Sequence, residues 1–362
     1  MGTALIAGGG IGGLAAAIAL SRAGWDVEVL EQAPELTAVG AGITLWPNAL
    51  RALDHIGLGE AIRAVGRFDA IAGICDERGR WLVRTDTDEL DRRFGPAVAI
   101  HRRDLLRTLA DAVPEGALRK GVKVHKVRIE NGGVVVEHTQ GESKADLLVG
   151  ADGINSLVRK QFWPDTEPVY GGATAWRMVV DRPGDRLAVG GEFWGRGEIF
   201  GILQLPYEQV YMFGSALVPP GQRSPDGELA ELRRRFGDWV DPVGSLLGEV
   251  KDVVRHDLNH VPRLRTYVHG PVVLIGDAAH AMMPNLGQGG CQALEDAVSL
   301  PRLDQDRLRL RRTQSIARMS RMISRAAFAR SRAVVAVRDN VMGLVPSGVT
   351  IRRFAGLFNW SL

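Results

Sequence analysis

The sequence predicts an α/β protein in which a parallel-sheet domain is interrupted by a mostly antiparallel β-sheet and finished by helices. Three observations carry this. A strand–helix–strand pattern opens the chain at Thr3–Ala7, Ile11–Ala23 and Asp26–Glu31. Buried-type apolar runs return at Leu147–Val149 and Val272–Ile275. Between them lie alternating, Gly- and Pro-bounded runs at Thr174–Val180, Ile199–Leu205 and Val210–Ala216. The expected division is therefore discontinuous. Residues 1–70, 98–168 and 256–362 form the first domain, and 71–97 with 169–255 form the inserted β-rich one.

The first run is short and apolar, the second is rich in Ala, Leu and Ile, and the third alternates around Val27 and Val29. Residues 47–65 have a helical pattern, and Ile71–Cys75 with Trp81–Arg84 form a hairpin around Glu77-Arg78-Gly79. Asp104–Val113 is helical, and strands near 122–129 and 133–138 flank Asn131-Gly132-Gly133. Leu229–Phe236 and Pro242–Leu247 read as short helices, Cys291–Leu300 as a further one, and 311–338 as a long amphipathic helix. In that helix Ile316, Met319, Ile323 and Ala327 share a side, and Arg318, Arg321, Arg325 and Arg332 fall largely on another.

Composition narrows the function classes. Hydrophobic residues make up 45% and charged residues 24% of 362, which suits a globular chain with a large core. Cys75 and Cys291 cannot build a disulfide framework or a cysteine-rich metal site, so no metal is expected and a reducing, cytoplasmic setting is. The net charge of +3 hides an asymmetry: from Pro301 onward thirteen arginines face three aspartates, which leaves the body acidic and argues against nucleic-acid binding. Residues 1–21 carry no charge, but five glycines between positions 8 and 13 argue against a membrane span.

Gly8-Gly9-Gly10-Ile11-Gly12-Gly13 fits the G-x-G-x-x-G dinucleotide fingerprint of a Rossmann-like unit. Gly8 makes the turn after the strand, Gly10 lets backbone approach a pyrophosphate, and Gly13 lets helix and sheet pack closely. Free N–H groups from Ile11 and Gly12 then face the phosphates at the positive helix end. Glu31 ends the second strand 18 residues after Gly13, near the ~20 expected of the carboxylate that binds ribose hydroxyls. A glycine-rich turn without a ligand would not need that context.

Two further motifs specify the nucleotide. One runs from Asp146 through Gly150-Ala151-Asp152-Gly153 to Arg159. The other is Gly276-Asp277-Ala278-Ala279-His280, continuing to Pro284 and Gly287-Gln288-Gly289-Gly290. With the fingerprint, these resemble the three signatures of the single-component FAD-dependent aromatic hydroxylases, typified by p-hydroxybenzoate and salicylate hydroxylases. His101-Arg102-Arg103-Asp104-Leu105 and Gly40-Ala41-Gly42-Ile43 with Pro47-Asn48 are similar to that family too. The likeness covers about residues 3–300.

The resemblance implies an FAD-binding Rossmann-like domain and an NADH- or NADPH-dependent monooxygenase. Such an enzyme uses O2 to hydroxylate or epoxidise an aromatic or polyketide-like small molecule through a flavin C4a-hydroperoxide. A dehydrogenase or reductase of the same fold is the alternative. A monomer or homodimer is expected. The implied FAD residues are Gly8, Gly10, Ile11, Gly12, Gly13, Glu31, Gln32, Gly42, Ile43, Arg102, Val124, Asp152, Gly276, Asp277, Gly287, Gly289, Gly290 and Cys291. Physical reasons stand beside several of these. Asp277 follows a buried strand, so its carboxylate emerges at a sheet edge where ligands bind. The Gly287–Gly290 stretch starts a helix whose positive end suits the flavin's pyrimidine edge. Arg102 offers a fork for phosphate oxygens. Asp152 is open to a second reading as a structural strand–helix turn paired with Arg159, and Val124 to one as plain core.

Arg177, Tyr211 and Pro284 are the candidate catalytic residues. Strand alternation puts Trp176 and Arg177 on opposite faces, and Tyr211 with Phe213 on one. Arg177 would hold an anionic or carbonyl group, and Tyr211 would hydrogen-bond a phenol and assist its deprotonation. The alternative is that the aromatics pack the sheet and Arg177 is a surface charge. Pro301–Leu310 is shorter than the helix and loop usual in the family.

Overall fold

The computed structural model describes residues 2–36, 41–66, 73–182 and 190–362. Gly40, and the first two residues of the strand expected at 71–75, lie outside that set.

Thr3–Ala7 pairs in parallel with Asp26–Glu31 on one side and with Leu147–Gly150 on the other. Parallel pairing extends the sheet to Leu118–Lys120 and to Val272–Leu274, and Val268–His269 closes it antiparallel. Helix Ile11–Arg22 is buried along nine of its twelve residues. Its core neighbours include Leu45, Ile100, Cys291 and Leu294. That burial explains its Ala-rich sequence: small side chains let helix, sheet and neighbouring helix approach closely.

The second sheet has seven strands, in the order Val254–His260, Val169–Asp181, Gln209–Ala216, Glu198–Leu205, Gly191–Trp194, Gly73–Asp76 and Trp81–Arg84. All pairings are antiparallel except Gly191–Trp194 with Gly73–Asp76. One face, with Trp176, Met178, Phe193, Phe200 and Met212, packs on Leu232, Phe236, Leu246 and Leu247 of helices Glu228–Phe236 and Val243–Glu249. The other face looks toward Ala41, Ala99 and Met283. Strands Gly42–Leu45 and Val98–His101 pair with each other. A three-stranded antiparallel sheet spans Val124–Ala145.

Two expected helices are broken. The 47–65 stretch divides into Pro47–His55 and Gly59–Val65, because Gly57 takes φ +78° and the Leu58 N–H turns back to the Leu53 carbonyl. The 311–338 stretch divides into Arg311–Ala327 and Arg332–Gly343. There the Arg338 guanidinium donates to the Ala326 and Ala327 carbonyls at 3.3 and 3.0 Å, so the end of the first helix finds its partners in the second. Ile316 and Ala327 are buried as the apolar stripe requires, and Arg318 and Arg325 are exposed. The short 301–310 segment ends in a π-helical turn, Asp306–Leu310, which carries Arg309 into the interior. Helix Thr87–Phe94, capped by Asp86 accepting from the Glu89 N–H at 2.8 Å, was not anticipated. Among the described residues no helix is long and apolar enough to cross a membrane.

Candidate active site

The fingerprint loop is held in shape by its own carboxylate. The Gly9 N–H donates to Glu31 Oε2 at 2.6 Å, and the Ala33 N–H donates to Oε1 at 2.7 Å. Glu31 thus aligns the loop as well as standing where a ribose would lie. Gly8 has φ +107°, and a Cβ on Gly13 would lie 1.9 Å from the Gly8 carbonyl oxygen. A Cβ on Gly10, by contrast, would meet nothing within 4 Å, so the loop presents backbone to open space. The first helical bond is made by the Leu14 N–H to the Gly10 carbonyl at 2.9 Å. The N–H groups of Ile11, Gly12 and Gly13 therefore precede the helical ladder, and those at the open side suit a pyrophosphate. Gly12 also faces Ala293, at 3.4 Å from its virtual Cβ, and so serves helix packing.

Across the cleft, Gly276 turns with φ +57°, and its N–H donates to buried Asp296 at 2.9 Å. Asp277 is exposed, and its carboxylate has no hydrogen-bond partner among the described residues. Arg102 is solvent-accessible, yet burial lowers its pKa. Asp277 opposes that shift, while Arg177 adds to it and Tyr211 opposes it. Asp277, Arg177 and Tyr211 thus lie near enough to Arg102 to act on its charge. Gly42 and Ile43 form a second wall. A Cβ on Gly42 would touch the Tyr211 ring at 2.9 Å, and one on Gly290 would touch Ile43 at 2.8 Å. Gly287 is left-handed at φ +60°, Gly289 faces open space, and Pro284 is exposed at the start of a short 3-10 turn. Gln32 is exposed and Val124 half-buried.

Asp152 is engaged internally. It accepts from the Ser156 hydroxyl at 2.5 Å and from the Leu157 and Val158 N–H groups at 2.7 and 3.1 Å, capping helix Leu157–Phe162. Burial raises its pKa, and these bonds oppose the rise. The ion pair with Arg159 included in its second, structural reading is not formed. The Arg159 guanidinium donates instead to the carbonyls of Ile154, Ala278 and Thr166 at 2.6, 3.0 and 3.2 Å.

Trp176 and Arg177 lie on opposite faces: Trp176 is in the helix-packed core, and the Arg177 guanidinium donates to the Tyr211 hydroxyl oxygen. Since arginine only donates, the Tyr211 proton remains available to a ligand. Phe213 lies beside Tyr211, with ring centroids 6.2 Å apart.

Sequence reasoning missed the polar network under the helix Gly289–Ser299. Asn48 donates to Gln288 at 3.0 Å and to Glu295 at 2.6 Å. Arg312 donates to Glu295 at 2.7 and 2.9 Å, and Arg309 reaches both Glu295 and Asp296. His280 pairs with Asp296 at 2.5 Å. Burial alone would raise the Asp296 pKa, but His280 and Arg309 hold it well below the usual carboxylate range. Two adjacent acids and Gln292 in a helix otherwise of small and apolar residues were the available signal. Buried Asn48 Oδ1 and Gln288 Nε2 have no partner among the described residues, and Asn48 bonds to Gln288 beside the Gly287–Gly290 stretch. The cysteines are inert by comparison: burial pushes the Cys291 thiol up to about 12 and Cys75 to about 11. Among the described residues no group of three or more His, Cys, Asp or Glu is arranged for a metal.

An open glycine loop at a helix start, a second glycine-rich helix start, and Arg102 and Asp277 with side chains unpaired among the described residues fit FAD. Fold and site define an FAD-dependent oxidoreductase. The family model described as FAD binding domain matches residues 2–303. Aurachin C monooxygenase/isomerase of Stigmatella aurantiaca is 40% identical over 305 residues, covering 83% of this chain and 80% of that protein. The 2-heptyl-3-hydroxy-4(1H)-quinolone synthase of Pseudomonas aeruginosa is 34% identical over 313 residues, 83% of this chain and 80% of the other. Klebsiella pneumoniae HpxO complexed with FAD and uric acid superposes with a TM-score of 0.90 at 26% identity, covering 98% and 96% of the two chains. The chain belongs to the FAD-binding-domain family, and it is an FAD-dependent monooxygenase of the aromatic hydroxylase type.

Proposed function

We propose that this monooxygenase draws electrons from NADH or NADPH and uses O2 to oxygenate a planar, fused-ring aromatic carrying a ring carbonyl and a ring N–H. Quinolone and uric acid, named for two of its relatives, share those features. Bound FAD supplies the electron- and oxygen-transfer chemistry. Gly10–Gly13, Arg102 and Asp277 would hold its phosphates and ribityl or ribose hydroxyls. Gly42, Ile43 and Gly287–Gly290 would border its ring.

The substrate would lie between Pro284–Gly287 and the open face of the seven-stranded sheet. The observation that carries this is the Arg177–Tyr211 pair, placed against Gly42 on that face. Arg177 would hold the carbonyl, and the free Tyr211 proton would donate to the same oxygen. Apolar neighbours Phe213, Leu203 and Val179 keep water away from the reacting carbon. The test is NAD(P)H oxidation by the holoenzyme with 2-heptyl-4(1H)-quinolone under labelled O2. One labelled oxygen in the product is expected, and oxidation of NAD(P)H without labelled product refutes the reading for this class. We also propose the two-domain division near residues 70, 98 and 168. Its last boundary moves to about residue 260, since Val254–His260 bonds to Val169–Asp181. A cytoplasmic setting remains part of this proposal.

A further inference from the structure

Strand register places four side-chain positions in one row across the open face. Arg177 is opposite Phe213, Phe213 opposite Gly201, and Gly201 opposite Glu192, with Ile74 next. Directly opposed residues share a face. At about 4.8 Å per strand, Arg177 and Glu192 anchor the ends of a row roughly 14 Å long. Its middle is low and aromatic. Gly201 has no side chain, and the Phe213 ring takes its place, lying 2.0 Å from where a Cβ would be.

Glu192 is an unusual residue for a sheet interior. Its Oε2 accepts from the Trp194 indole N–H at 2.7 Å. Its Oε1 has no hydrogen bond, and no cation pairs with it, among the described residues. Burial raises its pKa, and only the Trp194 bond opposes this. Yet Glu192 keeps part of its surface accessible. Trp194, Ile74, Phe213 and Met283 belong to one apolar cluster on that face. A carboxylate with one protein donor and its second oxygen unpaired among the described residues is costly there unless something else supplies a donor.

We propose that Glu192 is a specificity-determining residue, accepting a hydrogen bond from the ring N–H of the aromatic substrate at the end opposite the carbonyl held by Arg177 and Tyr211. This rests on the substrate placement proposed above. The row then reads a ring by its two poles: donors at one end, an acceptor at the other, and the Phe213 face between. A 4-quinolone, whose carbonyl and N–H lie across one ring, matches that order.

The test titrates holoenzyme with 2-heptyl-4(1H)-quinolone and with its N-methyl analogue, following perturbation of the FAD absorption spectrum. Wild type binds the N–H compound about 10-fold tighter, as for one hydrogen bond at the upper end of its usual net worth. Glu192→Leu loses that preference by weakening the N–H compound alone. Glu192→Gln retains an acceptor for Trp194 and reduces the preference part way. FAD content, and FAD reduction without ligand, stay at wild-type values in both. Equal affinities in wild type, or a preference that survives Glu192→Leu, overturn the role of Glu192 and leave the substrate class standing. If the Leu variant does not retain FAD, an undiminished preference in Glu192→Gln overturns it. Failure of wild type to bind either compound overturns the substrate class and this role together.

Discussion

Replacing Arg309 with Met tests the buried network that supports helix Gly289–Ser299, which we propose borders the flavin. Arg309, Glu295 and Asp296 are all 0% exposed. The guanidinium donates to Asp296 at 2.7 Å, to Gln292 at 2.6 Å and to Glu295. Removing one partner of a buried ion pair costs about 3–5 kcal/mol, because the other charge stays buried. Here the remaining partners limit the loss. Glu295 keeps Arg312 and Asn48, and Asp296 keeps His280 and the Gly276 N–H. The expected cost is therefore near the lower end, about 3 kcal/mol. With a urea slope of about 3 kcal/mol/M, the unfolding midpoint falls by about 1 M, measured by circular dichroism and by release of FAD fluorescence. The pH response has a definite sign. Asp296 is held below its unfolded value, so its stabilisation is present above about pH 4 and is lost as pH falls through the folded pKa. Without Arg309 that pKa rises, and acid-induced FAD release begins at higher pH. Arg309→Lys restores charge without the fork and falls between the two. A Met variant with a urea midpoint within about 0.2 M of wild type and an unchanged acid limit would refute the network's role.

Gly13→Ala should leave a nearly colourless protein, since its Cβ would meet the Gly8 carbonyl oxygen at 1.9 Å; bound FAD in the purified variant is the measurement. Glu31→Ala and Asp277→Ala should each weaken FAD binding by about 1.5–3 kcal/mol, read by fluorescence titration, and unchanged affinity would remove them from the site. The Cys75→Ser, Cys291→Ser double variant should keep FAD reduction by NAD(P)H within about twofold, since both thiols are buried and protonated. Loss of reduction with FAD still bound would point to thiol chemistry. Tyr211→Phe should lower product formation and raise the share of NAD(P)H lost as hydrogen peroxide, with FAD content unchanged. Arg177→Ala should chiefly weaken substrate binding, and wild-type coupling and affinity in both variants would exclude the pair from the mechanism.

The geometry of the candidate nucleotide loop was legible in the sequence because its parts are local. A glycine loop between a strand and a helix, with a carboxylate at the next strand end, works through spacing within about thirty residues. The Gly276-Asp277 turn is legible for the same reason, and strand alternation alone separates Trp176 from Arg177. Helix ends were less so: the break after Ala327 depends on Arg338, eleven residues on, folding back to take its carbonyls. The network under Gly289–Ser299 joins Asn48 to Glu295, Arg309 and Arg312, and no local pattern couples those positions. The substrate row belongs wholly to tertiary structure. Arg177, Phe213, Gly201 and Glu192 become neighbours only through the register of four strands, and shifting any strand by one residue would turn its side chain to the opposite face.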